Sequence, residues 1–118
     1  MPKVKILLDK IVSSIQDMKG KEIISLNLQK TESNICKYFV ICTGNSNTHV
    51  NAIEKSIRKK VAEELKEKPN NIEGYKISEW ILIDYTDIIV HIFQENIRLY
   101  YNLEDLWGDA DRINYKAT

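Results

Sequence analysis

The amino-acid sequence predicts an α/β fold, a single domain with a mixed β-sheet flanked by helices. Short apolar runs rich in β-branched and aromatic residues, typical of strands, alternate with longer segments whose apolar residues recur every three or four positions, typical of helices. Two runs are close enough to form an antiparallel hairpin, whereas a long helix between two others suggests a crossover. The length of 118 residues fits one domain over residues 1–118.

The N-terminal part of the chain predicts one helix and two strands. Apolar residues recur at helical spacing from Val4 to Met18, and Gly20 ends this helix. Residues 22–28 then alternate in the manner of a strand. Residues 35–43 form a nearly continuous apolar run, which is expected of a central strand covered on both faces.

A long helix and a weak strand are predicted next. Ser46 or Asn47 can cap the helix, and residues 69–71 are expected to close it. Its apolar stripe consists of Val50, Ile53, Ile57, Val61 and Leu65. Residues 72–78, which contain Gly74, predict the weaker strand.

The segment from Trp80 to Phe93 predicts a β-hairpin, because two strand-like runs flank a short polar break. With Thr86 and Asp87 as a two-residue loop, Tyr85 pairs with Ile88 and alternation assigns every other residue to a face. One face, predicted to be core, carries Ile81, Ile83, Tyr85, Ile88, Val90 and Ile92. The other face, predicted to be a functional surface because it mixes polar and large apolar groups, carries Trp80, Leu82, Asp84, Ile89, His91 and Phe93. Residues 95–107 predict a helix or two short helical turns that end at Gly108.

Charge is distributed unevenly along the chain, although the net charge is zero. Residues 79–111 contain eight acids and a single cation, Arg98, so phosphate backbones are disfavoured as partners and a basic protein or a metal is favoured. Cys36 and Cys42 are too few for a disulfide framework and are expected to be reduced. Neither a membrane-spanning run nor a signal peptide is evident, so we expect a cytoplasmic protein.

Candidate active-site groups are weak throughout the chain. The turn at residues 43–46 could present amides to a phosphate, but a helix cap is the favoured interpretation because further glycines and a Walker lysine are missing. Asp84 and Asp87 are three apart, whereas two acids that hold metals from one strand face must be two apart. His49 and His91 have no partner at zinc-ligand spacing, so a structural or contact role is expected for both. Neither thiol is in an activating setting. The sequence therefore predicts no enzyme, metal or cofactor.

Aromatic residues are concentrated near the acids of the C-terminal third. They are Trp80, Tyr85, Phe93, Tyr100, Tyr101 and Trp107. Trp and Tyr dominate protein interfaces because they bury a large area while keeping a polar group, so a protein-binding surface is predicted. The alternative is that Tyr100, Tyr101 and Trp107 only pack a terminal helix onto the sheet.

Several segments together resemble one known family. They are residues 38–46 (YFVICTGNS), His49-Val50, residues 80–93 (WILIDYTDIIVHIF), residues 98–107 (RLYYNLEDLW) and Asp109-Ala110. In order and spacing this combination is similar to the ribosomal silencing factor family, RsfS, also called Iojap. Thr86 departs from the glycine that this family usually has between the tyrosine and the aspartate.

The resemblance implies a non-enzymatic role and a nucleotidyltransferase-like fold without catalytic acids. The family pattern implies binding to the large ribosomal subunit through its basic ribosomal protein L-fourteen, which sterically blocks association with the small subunit and represses translation under nutrient limitation. It places the partner contact on Trp80, Leu82, Asp84, Tyr85, His91, Arg98 and Tyr101.

Two alternatives stay open at the level of sequence. An active nucleotidyltransferase would need a carboxylate pair near residues 44–46, and none is evident. An RNA-binding module involved in ribosome assembly could use Lys55, Arg58, Lys59 and Lys60, although interleaved glutamates dilute that stripe. Minor contact with ribosomal RNA, and a homodimer of the free protein, are further expectations.

Overall fold

The computed structural model describes residues 3–31 and 35–117, so the ends of the predicted domain over residues 1–118 lie outside the described residues. Its helices are α1 (Lys3–Asp17), α2 (Asn47–Leu65), α3 (Glu95–Tyr101) and α4 (Leu103–Leu106). Its strands are β1 (Lys21–Asn27), β2 (Tyr38–Gly44), β3 (Asn71–Glu73), β4 (Trp80–Asp84), β5 (Ile88–Gln94) and β6 (Asp111–Tyr115). None of the described helices combines the length and apolar character needed to cross a lipid bilayer.

The six strands form one mixed sheet in the order β3-β4-β5-β2-β1-β6. β2 and β5 are parallel neighbours, and every other pairing is antiparallel. The predicted mixed sheet is therefore confirmed, and the central strand predicted over residues 35–43 is β2, which begins at Tyr38. The hairpin lies on one side of β2, and the strand after α1 lies on its other side.

The sheet separates a large core from a smaller one. α1 and α2 cover one face, where the predicted stripes of both helices meet the core side of the hairpin. α3 and α4 cover part of the other face, where Phe39, Ile41 and Phe93 are buried. Ile97, Leu103 and Trp107 pack against this smaller core from the two short helices.

The hairpin has the predicted register. Ile83 pairs with Val90 and Asp84 with Ile89, and the amide of Tyr85 donates to the carbonyl of Ile88 over 2.9 Å. All six residues of the predicted core face are buried, which confirms that assignment.

The prediction that the other face of the hairpin is a surface is partly wrong. Trp80, Leu82 and Ile89 are half-buried, but His91 and Phe93 are almost fully buried. They are covered because β2 runs beside β5 and because α3 and α4 fold back over this end of the sheet.

Two other predictions need correction, and one strand was missed. The weak strand over residues 72–78 is limited to β3, because Gly74 has a φ of 84° and Ser78 a φ of 60°, so the chain turns there. α2 ends at Leu65, before residues 69–71, because Lys66 adopts the left-handed conformation at its C-cap. β6 was not predicted, since all but its last residue are exposed and the apolar alternation that marks a strand is weak.

Candidate protein-docking face

An open sheet face lies on the hairpin side that α1 and α2 do not cover. It consists of the side chains of Trp80, Leu82, Asp84 and Ile89, all half-buried. In the register of β3 and β4, Glu73 lies directly opposite Leu82, so a second acid borders this face. The sequence alone did not assign Glu73 to this face, because its position there depends on how β3 pairs with β4.

Trp80 is the largest side chain of the open sheet face, and aromatic rings hold it in place. Its ring stacks on Phe93 with centroids 4.8 Å apart and an interplanar angle of 29°. Tyr101 of α3 lies against it at 4.8 Å in a tilted arrangement. Trp80 and Tyr101, predicted to act together, are therefore in contact, and the exposed part of each side chain remains available to a partner.

His91 lies beneath Trp80. Its Nδ1 accepts a hydrogen bond from the indole N–H of Trp80 over 3.2 Å, which leaves the proton of the neutral ring on Nε2. Burial lowers the pKa of His91 to about 4, so the ring is neutral near pH 7. The ring of Phe39 meets it edge-on at 4.7 Å. His91 thus orients Trp80 and offers almost no surface of its own.

Arg98 fastens α3 to the rest of the protein. Its Nη1 donates to the carbonyl of Glu22 over 2.6 Å and to the hydroxyl of Thr43 over 2.9 Å. Its Nε and Nη2 each lie 3.0 Å from Oε2 of Glu104, which belongs to α4. With 8% of its surface exposed, Arg98 joins two strands and two helices instead of presenting a free cation.

Tyr85 belongs to the core side of the hairpin. It is 7% exposed and packs in the large core. Its hydroxyl is buried and has no hydrogen-bond partner within the described residues. Burial raises the pKa of Tyr85 well above its usual range, with the charge of Glu54 adding to the effect. Tyr85, although one of the predicted contact residues, thus lies on the opposite side of the sheet from Trp80.

Asp84 supports the hairpin turn as well as the open sheet face. Its Oδ1 accepts the amide hydrogen of Thr86 over 2.7 Å. Thr86 has a φ of 74°, a conformation that glycine adopts without strain. The amide of Asp87 donates to the carbonyl of Tyr85 over 2.9 Å, which closes a tight turn with Thr86 at its centre. The positive φ at this position explains why the resembled family usually carries glycine there.

The helix cap predicted at residues 43–46 is confirmed. Ser46 is the N-cap of α2, and its hydroxyl accepts the amide hydrogen of His49 over 3.1 Å. The amide of Asn45 donates to Nδ1 of His49 over 2.9 Å, and Nε2 of the same ring lies 2.7 Å from the carbonyl oxygen of Met18. These amides already have acceptors inside the protein, which argues against a phosphate site at this turn.

The other groups considered for chemistry are not arranged for it. Within residues 3–31 and 35–117, no three His, Cys, Asp or Glu side chains are grouped so as to hold a metal ion. Burial raises the pKa of Cys36 to about 11 and that of Cys42 to about 12, so both thiols are protonated near neutral pH.

Comparison with known proteins identifies the family. A family model described as "Ribosomal silencing factor during starvation", RsfS, matches residues 2–118. The chain belongs to the RsfS family. It is 43% identical over 111 residues to the ribosomal silencing factor RsfS of Halalkalibacterium halodurans, which covers 94% of this chain and 93% of that relative. It is 37% identical over 106 residues to the RsfS of Bacillus subtilis, covering 90% of this chain and 88% of that protein.

The fold is also shared with a solved structure. The crystal structure of a Chromobacterium violaceum protein superposes with a TM-score of 0.85 and 31% identity, covering 91% of this chain and 88% of that one. The predicted RsfS resemblance and α/β fold class are thus confirmed.

Proposed function

We propose that this chain is a ribosomal silencing factor that binds the large ribosomal subunit through the basic ribosomal protein L-fourteen. Bound there, it occupies space that the small subunit needs, and so it represses translation in the cytoplasm when nutrients are limiting. The action is steric and non-enzymatic, and it needs no cofactor or metal. Membership of a family described by ribosome silencing supports this proposal.

The open sheet face is the observation that carries the proposal. It combines half-exposed aromatic and aliphatic side chains with acids, the composition expected of a surface that docks on a basic protein. Trp80 and Leu82 supply apolar area, while Asp84 and Glu73 supply negative charge. Complementary charge speeds and orients docking, and the buried apolar contact provides affinity.

The contact residues divide into two groups by burial. We propose that Trp80, Leu82, Asp84 and Tyr101 contact the partner, since part of each side chain is accessible. His91, Arg98 and Tyr85 are nearly buried, so their contribution is to hold the contacting groups in place.

An RNA partner is less well supported by the basic side of the molecule. On α2, Arg58 is paired with Glu54, and Lys60 lies 3.0 Å from Asp17 of α1. Lys10 of α1 is likewise paired with Glu64 over 2.7 Å. These ion pairs divide the positive charge among acids of the same surface, so a continuous track for phosphates is missing from the described helices.

Sedimentation with isolated subunits tests the proposal. We expect the protein to co-sediment with large subunits and not with small ones. Leu82→Ser should weaken this binding about tenfold, since it removes an accessible apolar contact. Ile113→Ser, which changes an exposed apolar residue on β6 at the far edge of the sheet, is the matched control and should bind like the unchanged protein. Equal binding to both subunits would contradict the proposal.

A further inference from the structure

A second apolar surface lies on the two short helices. Leu99 is 72% exposed, Tyr100 81% and Leu106 70%. Tyr101, half exposed, joins them, and these four side chains are called the α3–α4 patch below. Grouped exposed apolar residues of this size are uncommon on a monomeric protein and mark interaction surfaces.

The α3–α4 patch is not required for packing. The residues that attach the helices to the sheet are Ile97, Leu103 and Trp107, which face the smaller core. Leu99 lies on the side of α3 away from Ile97, and Tyr100, although about one turn from Ile97, is exposed as well. The chain therefore packs its helices with one set of apolar residues and exposes another set to solvent.

The segment that carries the α3–α4 patch is acidic, and the exposed cations Lys21 and Arg112 lie only at its Leu99 end, where they line the same cavity. Glu95, Asp105 and Asp109 are exposed, and Arg98 is the only cation between residues 95 and 111. Arg98 is bound to Glu104, so its charge is neutralised inside the protein. The acids near Leu106 repel RNA phosphates and anionic lipids and attract a basic polypeptide.

The α3–α4 patch is anchored by polar contacts and adjoins the open sheet face at Tyr101. The Arg98–Glu104 pair ties the segment to the sheet, and the amide of Asn102 donates to the carbonyl of Arg98 over 2.9 Å where the two helices meet. Tyr101 contacts Trp80, so no gap separates the two surfaces. A preorganised surface loses less conformational entropy when it binds.

We propose that the α3–α4 patch is the second half of the docking surface, and that Leu99, Tyr100 and Leu106 seat against an apolar, basic surface of the same ribosomal protein. This inference rests on the proposed function and adds to it residues that the family pattern did not supply. Protein, not ribosomal RNA, faces these helices in the complex.

The test compares large-subunit binding of two variants with that of Ile113→Ser as the control. Tyr100→Ser combined with Leu106→Ser should raise the dissociation constant about tenfold or more, while the melting temperature stays close to that of the unchanged protein because both side chains are exposed. Asp109→Lys should weaken binding severalfold at low salt, and the difference should shrink as salt is added.

The outcomes separate this inference from the proposed function. If the unchanged protein binds large subunits and Leu82→Ser weakens that binding while the Tyr100→Ser/Leu106→Ser variant binds normally, the second surface is disproved and the proposed function stands. Tighter binding of Asp109→Lys would mean that phosphate faces the patch, which also overturns the inference. If the unchanged protein fails to bind, both proposals fall together.

Discussion

Thr86 adopts a backbone conformation that a β-branched side chain disfavours. Its φ of 74° lies in the left-handed region, which costs a residue with a Cβ about 1 kcal/mol relative to glycine. The turn is nevertheless held by the Asp84 carboxylate, which accepts the Thr86 amide, and by a hydrogen bond between the side chains of Asn70 and Thr86. Local contacts thus preserve the register of the hairpin despite the strain.

Thr86→Gly and Thr86→Ala measure this strain. Both variants lose the bond to Asn70, but only alanine retains the Cβ, so the glycine variant should be more stable than the alanine variant by about 1 kcal/mol. Urea unfolding checks the difference. Equal stability of the two variants would show that the turn is not strained.

His91 predicts a specific pH dependence of stability. Its pKa is about 4 in the folded protein and near 6.5 when unfolded, so the unfolded state binds more protons between these values. Stability should therefore fall as the pH drops from 6.5 toward 4, by about 1 kcal/mol per pH unit from this group. His91→Gln, which keeps an acceptor for Trp80, should show a shallower fall over the same range. Parallel pH profiles in thermal unfolding would argue against the assignment.

At the scale of elements, α3 and α4 depend on a polar attachment as much as on apolar packing. Glu104 has a side chain only 16% exposed, and Arg98 is its ion-pair partner. The same guanidinium satisfies a carbonyl of β1 and a hydroxyl of β2. The position of Tyr101 against Trp80, and hence the shape of the docking surface, follows from this attachment.

Arg98→Met should destabilise the fold by about 3 kcal/mol, because it leaves the Glu104 carboxylate without its partner in a poorly hydrated position. Adding Glu104→Leu should recover part of this loss, since the unpaired charge is then removed as well. Denaturant unfolding of the single and double variants measures both steps. An Arg98→Met protein as stable as the unchanged one would refute the structural role.

Sequence reasoning predicted the elements that carry strong periodicity and missed those that depend on distant partners. α1, α2 and the hairpin follow from apolar spacing within each segment. β6 has almost no buried side chain, and its pairing with β1 joins residues about ninety positions apart along the chain. Residues 75–77 have strand-like composition, but a Cβ at Gly74 would lie 2.0 Å from the Trp80 carbonyl oxygen, so the backbone there requires glycine and a turn.

The face and burial of the proposed contact residues could be predicted to a similar extent. The face of Trp80, Leu82 and Asp84 follows from alternation in a strand. The burial of His91 does not, because Phe39 and the C-terminal helices that cover it are supplied by other parts of the chain. The exposure of Leu99 could have been anticipated from helical spacing against Ile97, whereas that of Tyr100, one turn from Ile97, could not.

At the scale of the whole molecule, the sheet separates two surfaces of different character. One is the helical layer of α1 and α2, where cations and acids pair with one another. The other combines the open sheet face and the α3–α4 patch, where aromatic and aliphatic groups are accompanied by acids. Because the acids lie beside the accessible apolar groups, charge complementarity and apolar contact would act together in the proposed complex.

Ionic strength should therefore act on the association rate more than on the dissociation rate. Asp84→Asn removes one charge of the open sheet face and keeps the oxygen that accepts the Thr86 amide. It should lower the association rate severalfold at low salt and leave the dissociation rate nearly unchanged. Stopped-flow or surface-based kinetics with large subunits measure both rates. A change confined to the dissociation rate would contradict this role for the charge.

Subunit joining shows whether the protein, once bound to the large subunit, keeps the small subunit away. Purified large subunits are incubated with the protein, small subunits are added, and the yield of joined ribosomes is measured by sedimentation. The account predicts that the unchanged protein and Ile113→Ser lower this yield, and that folded Leu82→Ser lowers it much less at the same concentration. An undiminished yield of joined ribosomes with large subunits saturated by the unchanged protein would contradict it.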